Sequence, residues 1–226
     1  MKTKKLFTYS LIIFILFLSS CAVKKYAPVS PDFYSSGLKL GLILNVDTIR
    51  TFRMGAQGLL DVLVTPGNKY TKPLQTIEPK VNPVNRFKDL YINLLKSKGK
   101  NITLIDLEFD DNQFGKFIKP ADNRKYFNKD IRSLKDKYQV DEVMIVKVQY
   151  GISINYYGFI EMGQGGYCVA DCQIINLNDN SVFYKGNSVG SVGLKGKFDT
   201  APDYENWITA INSAINKSIE LEKTKY

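Results

Sequence analysis

The feature that most constrains the fold is an alternating apolar run in the second half of the chain. Every second residue from 144 to 156 is apolar: Met144, Val146, Val148, Tyr150, Ile152, Ile154 and Tyr156. The residues between them, such as Lys147 and Gln149, are mostly polar or small. Because successive side chains of a β-strand point to opposite faces, this period of two predicts a long strand with one buried face. Such a strand needs other elements to cover it.

The flanking patterns predict those elements. Helices are predicted from the spacing of apolar residues, and further strands from shorter apolar runs. The predicted helices cover 83–98, 123–138 and the segment from about Pro202 onward; the predicted strands cover 38–46, 58–65, 102–107, 167–177 and 182–189. The glycines of 162–166 are predicted to form a hairpin connection. This order predicts one α/β domain over residues 38–226, a mixed-sheet α/β sandwich with a C-terminal strand meander and a covering helix.

The first 20 residues have the pattern of a secretory signal. Lys2, Lys4 and Lys5 give a positive start, and 6–18 is an apolar stretch of 13 residues. A signal-peptide core needs roughly 7–15 apolar residues, whereas a membrane-spanning helix needs about 20. The length therefore predicts a signal peptide over 1–20 that is removed from the mature protein.

The signal ends in Leu18, Ser19, Ser20 and Cys21. This sequence resembles the lipobox of bacterial lipoproteins: an aliphatic residue, two small residues and a cysteine. The resemblance implies cleavage after Ser20, a diacylglyceryl group on the sulfur of Cys21, and contact with the membrane through that lipid. Residues 21–37 contain two prolines and no periodic apolar pattern, which predicts a flexible tether. The alternative is an ordinary signal peptide or an uncleaved anchor with an incidental cysteine.

The residue after the lipobox cysteine bears on the location. Ala22 is not the aspartate that retains enterobacterial lipoproteins at the inner membrane, so the resemblance implies an outer-membrane lipoprotein with its domain in the periplasm. The chain carries a net charge of +9, with both signs interspersed. That balance suits an anionic envelope surface, and export makes nucleic acid a poor candidate partner.

The absence of histidine from the sequence removes several chemistries. Histidine-based nucleophile activation and HExxH-type zinc sites are excluded. Cys168 and Cys172 alternate with small or apolar residues in a predicted strand and would lie about 13 Å apart, which predicts two buried free thiols rather than a disulfide. We therefore predict no catalytic residue, no metal site and no cofactor. Whether the chain is an enzyme stays open, because a carboxylate-only enzyme needs no histidine.

Two segments of the C-terminal half resemble the periplasmic domains of accessory lipoproteins of the curli-secretion and penicillin-binding-protein-activator types. They are 138–146, where a helix end leads into a strand, and the hairpin 174–184. The resemblance implies a non-catalytic accessory or binding protein whose partner is an envelope protein or glycan. Two alternatives remain: a carboxylate-dependent hydrolase of envelope glycans, and an oligomeric pore-forming secretion lipoprotein. The pore alternative is open because a run of 13 residues exceeds the 9–11 or so that a tilted strand needs to cross a bilayer.

Aromatic residues mark the end of the long strand. Tyr156, Tyr157 and Phe159 are predicted at a hairpin tip. There they would either contact a partner, as exposed aromatic residues do, or pack within the loop.

Overall fold

The computed structural model describes residues 28–65, 67–196 and 204–226. Within those ranges the chain forms six α-helices, six strands and short 3-10 turns. In chain order the elements are α1 (Pro31–Ser35), β1 (Leu40–Val46), β2 (Arg50–Ala56), α2 (Leu59–Val64), α3 (Thr71–Ile77), α4 (Pro83–Ser97), β3 (Ile102–Leu104), α5 (Leu134–Tyr138), β4 (Glu142–Tyr157), β5 (Ile160–Asn176), β6 (Val182–Gly193) and α6 (Glu205–Lys223).

The strands form one mixed sheet around the long strand β4. On one side of β4, β1 pairs in parallel with its first half and β2 pairs in parallel with its second half. On the other side β5 pairs antiparallel along nearly the whole length, and β6 continues the meander. The strand order is β3-β1-β4-β5-β6, with β2 paired to β4 beyond β1. The predicted fold class is confirmed: a mixed sheet, a C-terminal meander and a covering C-terminal helix.

One face of the sheet is covered by helices. All seven alternating residues of 144–156 are buried and belong to one core cluster. Helices α4 and α6 supply the facing side chains, with Phe87, Tyr91, Trp207 and Ile211 fully buried among them. Cys168 and Cys172 point to the same face and are buried and free, as the alternation predicts. The expectation that helices cover this face is confirmed, and the face that a pore hairpin would turn to lipid is occupied by them.

The opposite face is covered in part by an irregular segment, and here one prediction is wrong. Residues 123–138 were expected to form a helix, but only α5 is helical. The side chain of Asn180 explains the difference: it accepts a hydrogen bond from the Ile131 amide and donates to the carbonyls of Phe127 and Lys129. The backbone groups that a helix would have paired internally are thus paired by one buried amide, while Phe127 and Ile131 still face the core.

The second predicted strand is also wrong. Within residues 58–65 the chain forms helix α2 (Leu59–Val64), and the strand lies just before it as β2. The Asp61 carboxylate accepts a hydrogen bond from the Gly58 amide and caps the helix start. Strand β2 was missed because its apolar alternation, Phe52, Met54 and Ala56, is short, and none of its side chains is buried.

The glycines of 162–166 lie inside β5 rather than in a hairpin connection, which corrects a third prediction. The turn is at Gly158, whose φ of +59° favours glycine. Gly166 serves close packing instead, because a Cβ there would lie 2.2 Å from the Ala210 carbonyl carbon of α6. The strand predicted over 102–107 is shorter, Ile102–Leu104. Pro202, the expected helix start, lies outside the described residues.

The packed part of the chain begins earlier than residue 38. Within the segment expected to be a tether, helix α1 buries Phe33 in the main core, and the Val29 amide donates to the Lys225 carbonyl at 2.9 Å. These residues lie where β4 starts, and we call this end of the sheet the tether end. None of the helices in the described ranges is long and apolar enough to cross a membrane.

Candidate functional site

The opposite end of the sheet carries a group of exposed apolar side chains. Helix α2 and the β4–β5 hairpin contribute to it, and each member is between 50% and 82% exposed. We call this group the apolar tip: Leu59, Leu60, Leu63, Val64, Tyr157, Phe159, Ile160 and Met162. Exposed apolar groups of this kind on a folded protein mark contact sites.

Helix α2 is formed by local hydrogen bonds rather than by burial. None of its side chains is buried. Its first turn is capped by the Asp61 carboxylate, which accepts from the Gly58 amide at 2.8 Å. At its last turn the Thr65 amide and hydroxyl both donate to the Asp61 carbonyl. An isolated helix of this length is unstable in water, so contacts with the sheet must hold it in place.

Arg53 of β2 provides one such contact. Its guanidinium donates to the Thr65 hydroxyl and to the Thr65 carbonyl, each at 2.8 Å. The same group lies 5.6 Å above the ring of Tyr156. A cation at the C-terminal end of a helix is favourable, because the unpaired carbonyls there carry partial negative charge. Arg53 therefore fixes the end of α2 against the sheet.

The hairpin and α2 are joined into one unit. The Gly158 amide donates to the Ala56 carbonyl at 2.8 Å, and the Gln57 side-chain amide donates to the Gly158 carbonyl at 3.0 Å. A Cβ at Gly158 would lie 3.7 Å from the Asp61 carboxylate, which shows how closely the helix approaches the turn. The two exposed apolar segments are thus one surface on a hydrogen-bonded base.

A polar network centred on Glu161 lies behind the tip. Both carboxylate oxygens of Glu161 lie 3.0 Å from the Lys69 amine, and the Tyr70 hydroxyl donates to one of them at 2.8 Å. Burial alone raises the pKa of Glu161, but the hydrogen bonds from Lys69 and Tyr70 outweigh it, so that the pKa is lowered from its ordinary value. The network fixes the first residues of β5 to the segment that follows α2.

Of the three predicted contact residues, two belong to the exposed tip and one lies beneath it. Tyr157 and Phe159 belong to the tip and are 71% and 65% exposed. Tyr156 is buried beneath it, and burial together with the nearby Glu161 charge raises its pKa. The predicted lipidation site Cys21 and its recognition residues 18–20 lie outside the described residues.

Sequence reasoning missed most of the tip. The members of α2 were assigned to a strand, because a short apolar run does not by itself distinguish a strand from a helix. The available signal was the spacing of Gly58 and Asp61, which matches a capped helix start. Nothing in the pattern indicated that the run would be exposed.

A cavity of about 590 Å³ lies elsewhere, where β1 ends and the chain turns toward β2. Its lining includes three carboxylates, Asp47, Asp106 and Glu108, all of them exposed. Two carboxyl groups with raised pKa, Glu142 and Glu222, owe the shift first to burial and do not line this cavity. Across the described ranges, no three acidic or thiol side chains are grouped closely enough to hold a metal ion.

No family model matches the chain, and no curated protein matches it. Among solved structures, lipoprotein GNA1162 from Neisseria meningitidis is 10% identical with a TM-score of 0.34, covering 79% of this chain and 99% of its own. A PelC dodecamer from Paraburkholderia phytofirmans is 10% identical with a TM-score of 0.29, covering 88% and 94%. The C-terminal domain of LpoB from Salmonella enterica is 15% identical with a TM-score of 0.23, covering 72% and 94%. Scores this low leave the function of this chain to be argued from its own residues.

Proposed function

We propose that this chain is a membrane-anchored lipoprotein of the cell envelope that acts without catalysis, as an accessory or binding protein. The apolar tip is the observation that carries the proposal. Eight apolar side chains, each at least half exposed, project from one hydrogen-bonded base. Water does not solvate such a surface favourably, so covering it is favourable.

The anchor is the lipid on Cys21, with the domain in the periplasm at the outer membrane. Support comes from the residues 18–21 and from the position of the packed chain's first residues. Val29 and Phe33 dock at the tether end, which leaves the tip at the far end of the domain. An anchored protein with a projecting surface meets partners that belong to the same envelope.

The partner is an envelope protein or glycan, or the membrane itself, and not nucleic acid. The geometry favours binding over glycan hydrolysis. Asp47, Asp106 and Glu108 are exposed at the cavity, whereas the acid of a glycosidase pair stands in a sheltered setting. A pore formed by β4 and β5 would need the face that α4 and α6 cover.

Photo-crosslinking in cells tests the proposal. A photoreactive amino acid replaces Leu60 or Phe159, and a matched variant carries it at Ile118, which is 89% exposed but distant in sequence from the tip. We expect adducts with an envelope protein, glycan or lipid from the two tip positions and not from Ile118, read by mass spectrometry. Equal adducts from all three positions, or none from the tip in growing cells, would contradict the proposal.

A further inference from the structure

We propose that the apolar tip inserts into a lipid bilayer surface, which gives the domain a second membrane contact besides its anchor. The inference rests on the proposed function and deepens it, because it names the envelope component that covers the tip. Four structural observations favour lipid over a protein groove or a second copy of the chain.

The first observation is the distribution of apolar side chains around α2. Five of its six residues are apolar, and all five are at least 44% exposed. Six residues at 100° per residue go around the whole helix axis. A helix that docks in a protein groove presents one apolar stripe and keeps the rest polar. A helix exposed and apolar on several sides fits a medium that surrounds it.

The second observation is that several backbone amides of the tip are already paired. The Val62 and Thr65 amides donate within the helix, to Gly58 and Asp61, and the hairpin amide of Gly158 donates to Ala56. In hydrocarbon an unpaired backbone group costs several kcal/mol, so segments that enter lipid need internal partners. These amides have their partners within the domain.

The third observation is the set of residues around the base of the tip. Three cations, Arg53, Lys69 and Lys72, and two acids, Asp61 and Glu161, lie in the segments that flank the tip. Asp61 caps its own helix, and Glu161 is paired with Lys69. Tyrosine, present here as Tyr157, is a residue type enriched at membrane–water interfaces. An apolar tip above a cationic base is the arrangement expected of a segment lying in an anionic membrane surface.

The fourth observation is that helix α2 of the tip and the tether attachment share one side of the sheet. Phe33 packs in the helix-covered core, and Arg53 holds α2 over Tyr156 of the same core. The 16 residues of β4 separate the two ends by about 50 Å. One bilayer can therefore contact both ends, so that the domain lies lengthwise along the membrane.

A site-specific fluorophore tests the inference. Residues 22–226 keep the whole described core and are purified without lipid. Leu60→Cys is labelled with nitrobenzoxadiazole, because Cys168 and Cys172 are fully buried. The labelled protein is mixed with vesicles of three parts phosphatidylethanolamine to one part phosphatidylglycerol, with or without nitroxide lipids. Ile118→Cys with the same label is the control.

We expect the label at position 60 to brighten several-fold on vesicles and to be quenched by the nitroxide lipids, and the label at 118 to do neither. In co-flotation, Leu60→Asp combined with Phe159→Asp should lower the vesicle-bound fraction at least tenfold, and Ile118→Asp should leave it unchanged. If the fluorescence of the label at position 60 does not change on adding vesicles, the inference is overturned. The inference is also overturned if the label at position 60 is already bright without vesicles and the protein has the mass of a dimer, since a second copy then covers the tip. Neither result bears on crosslinking to an envelope protein in cells, so the two proposals can fail separately.

Discussion

At the scale of single residues, the tether end contains an ion pair withdrawn from water. The Lys100 amine lies 2.7 Å from the Glu142 carboxylate, with the two side chains 1% and 0% exposed. The amine also donates to the Ser36 hydroxyl and lies 4.1 Å above the Phe33 ring. Burial raises the pKa of Glu142, and the hydrogen bond from Lys100 opposes that rise. The pair ties the first described helix to the start of β4.

We predict that Lys100→Met destabilises the protein by about 3–5 kcal/mol at neutral pH, because it leaves a buried carboxylate without its counter-ion. The variant removes the group that holds the pKa of Glu142 down, so that pKa rises further. A carboxyl group with a raised folded-state pKa favours the folded state below its unfolded-state pKa, near 4.5, and loses that contribution as pH rises. The cost should therefore shrink toward pH 4. Urea unfolding from pH 4 to 8 measures it.

Two further variants make this result specific to the buried pair. Lys100→Met combined with Glu142→Leu should cost less than Lys100→Met alone, since no charge is then buried. Lys223→Met breaks the exposed pair with Glu220 and should change the free energy of unfolding by less than about 0.5 kcal/mol. If the loss of unfolding free energy in Lys100→Met does not depend on pH, lost packing rather than the buried charge explains it.

At the scale of elements, sequence pattern and structure agree where a period is long. The alternating run of 13 residues predicted a long strand, which is β4. The apolar stripe of α6 likewise predicted a helix. The helix prediction for 123–138 failed because the side chain that pairs the backbone of this segment, Asn180, is distant in sequence. The prediction of a strand over 58–65 failed because this apolar run has no periodic polar positions that would distinguish a helix from a strand. Its exposure could not be predicted either, because it depends on which other elements cover it. The contact residues of the tip were predicted only where aromatic residues marked a turn.

The contact between α6 and the meander depends on glycine. Gly166 and Gly190 lie under the helix, where a Cβ would come within 2.2 Å and 1.8 Å of backbone atoms of α6. We predict that Gly166→Ala displaces α6 and lowers stability by about 1–3 kcal/mol, as overpacking does. Thermal unfolding measures the loss. Gly163→Ala is the matched control on the same strand, because the nearest atom to its Cβ would be 3.9 Å away. Equal losses in both variants would mean that strand propensity, rather than the helix contact, is responsible.

At the scale of the whole molecule, the two ends of the domain differ: the tether attaches at one end and the apolar tip projects from the other. Its membrane attachment stays a prediction, and one variant tests it. Cells grown with an alkyne fatty acid should label the full chain but not Cys21→Ala, because the sulfur of Cys21 is the expected acceptor. A Ser20→Ala variant, which keeps a small residue before the cysteine, should stay labelled. Label retained on Cys21→Ala would exclude lipidation at that residue.

The hydrogen bond between the Val29 amide and the Lys225 carbonyl has a practical consequence for protein engineering. The first and last described residues lie side by side, far from the apolar tip. A reporter protein fused after Tyr226 would therefore hang beside the tether and leave the tip unobstructed. The same proximity permits a circular permutant in which a short linker joins residues 28 and 226. Opening that ring at the exposed loop around Ile118 would move the predicted point of membrane attachment to the opposite face of the sheet, while every strand keeps its neighbours.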